Sequence, residues 1–596
     1  FIVSTNVRDA ETFEQFARIA NPLKKYGKVA MRVGHVAVKT TEDLPPGGSP
    51  WHEYTTWMSS LTRKIFPHPK LQPFVDMDKV AKNVELLRAC AAVLRKHGMS
   101  AALSDHEPFF MPEEFFAKYP HLRGPRCDHP RRASREAYST CRDSDEGREM
   151  LEWSVRELMK EVPEVSDIGW CTNDAGAGIC WTDYLYPGIN GPDHCRGINA
   201  GRHIANVAEG YLRGCDRKAE IIILKAMIFG SERALARECL DREKVTWPEA
   251  GDPGVMRLGV GADNPLNGLF DPVGVLGQLE KFDPEKIRKV IVGFGVNNYS
   301  RSHARLDVAA KIVELTQAQL EAPARGTRAR LNLLADLCER WVGPDQAEAL
   351  LEALLSVHEA MKYKRAAIPQ LTCNYIGVSM RHITRPLVAM PERLTSEEES
   401  YFLPHVFNPS TQQARMDYLD LHGSRLGGGA GRKVSTDPRL AEVGQLVGRL
   451  CSAAAQLEKI AGDGDAALFR GLGLSLRMYA SIMRSIGNFH AMQHIRDRNA
   501  ELLAGEPRVH PKLGTRSGDS DNLLIQEFMR DELDNVGELV DLLENGGMEW
   551  FITALDAEEE DTFILGPDVL DQLRRKMTIM RRHWCDAEEY LAPPHK

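Results

Sequence analysis

"DKVAKNVELLRACAAVLRKHGMSAALSDHEP" (residues 78–108) changes period part-way. Up to Gly98 the apolar residues recur at i, i+3, i+4 and i+7, which is one face of a helix. From Met99 the pattern becomes a short β-rich run that ends in a polar cluster, Asp105, His106 and Glu107. The same exchange recurs along the chain. β-rich runs occupy 1–7 ("FIVSTNV"), 29–38 ("VAMRVGHVAV"), 165–174 ("VSDIGWCTND"), 219–229 ("AEIIILKAMIF"), 255–261 ("VMRLGVG") and 289–299 ("KVIVGFGVNNY"). With 99–108 and a weaker run at 370–380 ("QLTCNYIGVSM") they make eight. Strands alternating with amphipathic helices imply βαβ units and parallel pairing. Eight such units predict an α/β fold of the (β/α)8 TIM-barrel type. An open doubly wound sheet is the alternative.

The barrel is expected over 1–400, with a helical insertion near 304–365 before the eighth strand, and a connecting segment over 401–438. From 439 to 596 nearly every stretch carries helical periodicity, so this part is expected to be an α-helical C-terminal domain. "GGGAGRK" in the connection lacks the spacing and the preceding strand of a phosphate-binding loop, and is expected to be a linker. "LSLRMYASIMRSIGNFHAM" has Met and aromatic residues at helical spacing, the pattern of a core face.

Composition narrows the function classes. The 596 residues carry a formal net charge of −9, with no long basic stripe, which argues against general nucleic-acid binding. No apolar run approaches the roughly 18 residues of a membrane span. The chain begins at Phe1 and enters a strand at once, so the natural N-terminus is expected upstream. A signal peptide, and with it the choice between cytoplasm and secretion, stays open. The 12 cysteines show no CxxC or CxxH spacing. No metal and no cofactor is therefore expected. The C-terminal helices could cover the barrel, pair two subunits as a homodimer or bind a partner.

In a barrel, chemistry belongs at the carboxyl ends of the strands. The predicted strands end in Asn6, Arg8 and Asp9; in Asp105, His106 and Glu107; in Asn173 and Asp174; and in Asn297 and Asn298. The last carries Asn374, followed by Arg381, His382 and Arg385. Aromatic residues accompany them: Trp51, Tyr54 and Trp57 in one loop, Trp181, Tyr184 and Tyr186 in another. Aromatic faces mixed with Asn, Asp and Arg suit a carbohydrate. "RGPRCDHPRR" (123–132) adds Arg123, Arg126, Arg131 and Arg132 around Asp128 and His129. Arginine binds carboxylates through paired, charge-assisted hydrogen bonds, so the stretch points to an anionic ligand.

"NVRDA" at the first strand and "RCDHPRR" after the third resemble the inverting exosialidases of glycoside hydrolase family 156, over roughly residues 1–400. The resemblance implies a (β/α)8 barrel that releases terminal α-linked sialic acid from glycans or free sialosides. It makes His129 the general acid and Asp9 the general base for water. Sialic acid carries a carboxylate on its anomeric carbon, which repels a carboxylate catalyst and tolerates an imidazolium. Inverting enzymes normally separate their two catalytic groups by roughly 6.5–9.5 Å to admit water. Arg126 and Arg196, then Arg123 and Arg132, are expected to bind the substrate carboxylate. Asn374, Asn173 and Asp174 are expected to line the site.

Three other readings fit the residues. A barrel glycosidase for a uronic acid or N-acetylhexosamine would use Asp174 or Glu107 as acid. An aldolase or lyase would need Lys225, in "IIILKAM", as a Schiff-base lysine. A carbohydrate-binding barrel would bind without turnover.

Overall fold

The computed structural model describes the chain except residues 6, 8, 35–59, 129–134, 173–178, 182–189, 227, 229, 253, 259–265, 267–268, 295–302, 372–379, 407–417, 419–436, 500–516, 555–556, 558–559, 561–563 and 591–596. Its strands are β1 (Ile2–Ser4), β2 (Ala30–Val33), β3 (Ser100–His106), β4 (Arg123–Arg126), β5 (Tyr138–Thr140), β6 (Val165–Cys171), β7 (Glu220–Lys225), β8 (Val245–Thr246), β9 (Val255–Leu258) and β10 (Lys289–Gly293). Eight of them form one sheet in the order β8-β7-β6-β3-β2-β1-β10-β9, and β4 and β5 form a separate antiparallel hairpin. Every described pairing in the large sheet is parallel. The first strand in the chain pairs with the last, Ile2 opposite Ile291, so the sheet rolls into a (β/α)8 barrel. Among the described residues the seam between β8 and β9 carries no pairing.

Seven of the eight runs seen in the sequence hold sheet strands. The remaining strand is Val245–Thr246, only two residues long and too short to register as an apolar run. The run at 370–380 supplies no strand among its described residues. Gln370 and Leu371 close a helix, Pro344–Leu371, and 372–379 lie outside the described residues. The helices from His303 to Leu371 follow β10, the last strand of the sheet among the described residues.

The helix within the opening stretch, Met77–His97, shows how the local chemistry sets each boundary. Asp76 Oδ1 accepts from the Asp78 and Lys79 amides at 3.0 and 3.1 Å, satisfying the first turn. Gly98, at φ 59, ends it in the left-handed conformation that glycine adopts without strain. Two residues later the chain is in β3, whose centre is buried on both faces. That explains its near-continuous apolar run.

Contacts divide the chain into two units: Phe1–Val260, Lys281–Asn298 and Ala309–Glu321; and Gly261–Glu280, Tyr299–Val308 and Ala322–Lys596. The second is mostly helical, with Asp437–Leu457, Asp465–Arg498, Ser517–Glu544 and Val569–Arg582 among its elements. Met478, Tyr479, Met483, Phe489 and Met492 are all buried within it. No described helix is long and apolar enough to cross a membrane.

Candidate active site at the carboxyl end of the barrel

Side chains alternate along a strand, so parity decides which polar residues enter the barrel. Ile2, Ala30, Ala102, Cys171, Ile222, Leu224 and Ile291 pack into one cluster with Val255 and mark the interior. On β3 this parity gives Ser104 and His106 to the interior. Asp105 and Glu107 have the opposite parity and face the surrounding layer. At the amino end of the barrel Lys289 is paired with Asp167 and, at 3.0 Å, with Glu220.

Asp105 is fully buried and accepts from the Leu61 amide and the Tyr211 hydroxyl, both at 2.8 Å. Burial, and next the negative charge of Glu107, push its carboxyl up to about 8. Glu107 is also fully buried. It accepts from Ser60 Oγ at 2.7 Å, Thr62 Oγ1 and the Phe109 amide at 3.1 Å, and pairs with buried Arg142 at 2.7 Å. A carboxylate so occupied ties a loop to the barrel and has no oxygen to spare for a substrate. Lys225 shares the parity of Ile221 and Ile223, opposite to interior Leu224.

The interior face holds two charges that inspection of strand ends did not single out. Arg32 lies two residues beyond Ala30 on β2, and Arg257 two beyond Val255 on β9. Arg32 donates to Ser4 Oγ at 3.1 Å, and Arg257 to the Leu224 carbonyl at 2.6 Å. Neither has a carboxylate partner among the described residues. Burial pulls the Arg32 guanidinium down to about 10; Cys171 opposes that, and the like charge of Arg257 adds to it. Two guanidinium groups near each other, each bonded among the described residues only to neutral oxygens, favour an anion between them. The sequence signal was a lone arginine inside each apolar run, "AMRV" and "VMRL".

The expected site residues divide into two groups. Among those described, Asp9 is the N-cap of the helix Ala10–Ala20, and its Oδ1 accepts from the Thr12 amide at 2.7 Å. Arg126, on β4, forms a two-pronged ion pair with Asp128 at 2.8 and 3.0 Å and meets Glu136 at 3.0 Å. Arg123 pairs with Glu113 and lies over the Phe116 and Tyr138 rings at 4.7 and 4.8 Å. Arg196 is exposed, 3.4 Å from Asp193 and 4.7 Å over the Trp181 ring. Three of the expected clamp arginines are thus matched locally by acids and aromatic rings. His129, Arg132, Asn173, Asp174 and Asn374 lie outside the described residues.

No protein-family model matches the chain. No curated protein matches it either. Among solved structures, a GH138 enzyme targeting pectin rhamnogalacturonan II aligns with a TM-score of 0.54 at 9% identity, over 98% of this chain and 79% of that one. An O-GlcNAc hydrolase of Thermobaculum terrenum aligns with a TM-score of 0.30 at 10% identity, over 100% and 97%. A GH20 catalytic module of the pneumococcal exo-β-D-N-acetylglucosaminidase StrH aligns with a TM-score of 0.29 at 9% identity, over 60% and 96%. None of these three is a sialidase. The first likeness establishes a shared fold.

Proposed function

We propose that this chain is a barrel glycoside hydrolase whose substrate carries a carboxylate on the sugar held at the barrel mouth. One observation carries the reading: Arg32 and Arg257 face the interior near its carboxyl end, without a carboxylate partner among the described residues. A substrate carboxylate would complete both. The fold shared with a glycan-cleaving enzyme supports the reaction class.

The substrate proposed first is a terminal α-sialoside, cleaved in a single inverting displacement. His129 would protonate the leaving oxygen. Asp9 would activate water through Oδ2, since Oδ1 caps a helix. The second reading is a uronide. The shared fold of an enzyme targeting a galacturonan favours it. Glu107 is occupied by Arg142 and two hydroxyls, so the acid of that reading falls to Asp174. An N-acetylhexosamine has no carboxylate to offer the arginines.

Hydrolysis of an aryl α-sialoside is compared with that of aryl glucuronides and galacturonides, following the first product by proton NMR. Release of β-sialic acid before mutarotation supports the first reading; release only from uronides supports the second. In either case Arg32→Met should lower kcat/KM by roughly 10–150-fold, the loss of a hydrogen bond to a charged group. Equal activity of Arg32→Met, or turnover of neutral glycosides alone, overturns the proposal.

A further inference from the structure

We infer that Cys141, Cys180 and Cys195, with the Asp143 carboxylate, form a site for one tetrahedral divalent cation that prefers thiolates, zinc first. Their four ligand atoms all lie within 4.8 Å of one another. Cys141 Sγ is 3.3 Å from Cys195 Sγ, and Cys195 Sγ is 3.6 Å from Asp143 Oδ2. A tetrahedral zinc with bonds of about 2.3 Å to sulfur and about 2.0–2.2 Å to oxygen spaces its ligands about 3.5–3.8 Å apart. The Cys141–Cys195 pair needs to open by a few tenths of an ångström, the Cys195–Asp143 pair already has the spacing, and the widest separation in the set, up to 4.8 Å, would close by about 1 Å. A disulfide requires about 2.05 Å between sulfurs and would leave a third thiol over.

The site is assembled by the fold and not by local sequence. Cys141 follows the β4–β5 hairpin, Cys180 lies in the loop after β6, and Cys195 ends the short turn Asp193–Cys195. All three are buried. The chain is pressed closely around them. A Cβ on Gly191 would sit 2.9 Å from Cys180 Cβ and 3.1 Å from its Sγ, and one on Gly147 would collide with the Cys141 carbonyl. Asp143 is itself oriented: His203 Nδ1 lies 2.5 Å from Oδ2, and Asn206 donates to Oδ1 at 2.7 Å. Such outer partners hold a ligating carboxylate in position. His194 Nε2, 3.2 Å from Cys141 Sγ, is the competing fourth donor. With four protein ligands the coordination is closed, so the ion would be structural. It would staple the β4–β5 hairpin that follows β3, which carries Arg126, to the described residues Ile179–Trp181 that follow β6.

The full chain, purified without chelator and reconstituted with zinc, should hold about one zinc per chain by mass spectrometry of the metal. Cobalt exchanged into it should give the intense visible bands and thiolate charge transfer of a tetrahedral sulfur site. Cys180→Ser and Cys195→Ser should lose the metal, and Cys215→Ser, at a buried thiol elsewhere, should keep it. Asp143→Asn should change the cobalt spectrum and His194→Ala should not; the reverse removes Asp143 from the ligand set. Wild-type protein that takes up no zinc, or that yields a Cys141–Cys195 disulfide on peptide mapping, overturns the inference. Neither result depends on a variant folding.

Discussion

Asp105 is a carboxylic acid held neutral by its surroundings. Its two neighbours are a backbone amide and a phenol, and its pKa is raised to about 8 by burial and by Glu107. The folded chain therefore holds a proton that the unfolded chain releases near pH 4. The sign follows: the contribution of Asp105 to stability is fully present below the unfolded pKa and falls as pH rises, until it levels near 8. The slope is at most about 1.4 kcal/mol per pH unit. Asp105→Asn keeps an acceptor for the Leu61 amide and offers Tyr211 a donor, so it mimics the neutral acid. Urea unfolding from pH 4 to 8 should give a flatter stability profile for Asp105→Asn, with the variant at least as stable as wild type at pH 8. Parallel profiles would mean that Asp105 is ionised in the fold.

At the scale of elements, the helical unit contains a buried ion pair between two helices. Lys576 and Glu532 are both fully buried. Ser485 Oγ donates to Glu532 at 2.5 Å, and Lys576 also donates to the His382 carbonyl at 2.8 Å. Burial lowers the Lys576 ammonium, and Glu532 holds it up. Removing one partner strands the other, so Glu532→Gln should cost about 3–5 kcal/mol in denaturant unfolding. Glu532→Leu with Lys576→Met should recover most of that loss, because paired apolar residues leave no charge stranded. The elements themselves differ in how far they can be read from sequence. The helix Met77–His97 carries its cap, its periodicity and its stop in adjacent residues, and was legible. Strand β8 has two residues, and no period can be seen in two. The run at 370–380 has the apolar, β-branched texture of a strand, yet its first residues belong to a 28-residue helix. In β3 the polar end was legible, but the inward parity of His106 and outward parity of Asp105 and Glu107 depend on where the barrel axis lies. The three clustered cysteines are 39 and 15 residues apart, so no short motif announces them.

The arginine pair exists only at the scale of the whole barrel. In the sheet, β2 and β9 are separated by β1 and β10, so Arg32 and Arg257 come together only because the sheet is rolled. Nothing in "AMRV" or "VMRL" alone indicates a partner. Two like charges, one of them partly buried, destabilise the free fold, and such a cost is retained where a ligand needs it. A structural arginine and a binding arginine therefore predict opposite results. If Arg32 were structural, Arg32→Met would lower the unfolding free energy. As half of an anion site, Arg32→Met should raise it by about 0.5–2 kcal/mol while weakening an anionic sugar inhibitor. Calorimetric titration supplies the second half of the test. Binding of the acidic inhibitor to wild type should weaken as salt rises, since screening acts on the charge contact. Its ester should bind wild type and Arg32→Met alike. Arg32→Met and Arg257→Met should be non-additive, because each removes half of one clamp on one carboxylate. Additive losses, or a variant that loses stability and keeps its affinity, would return both arginines to a structural role.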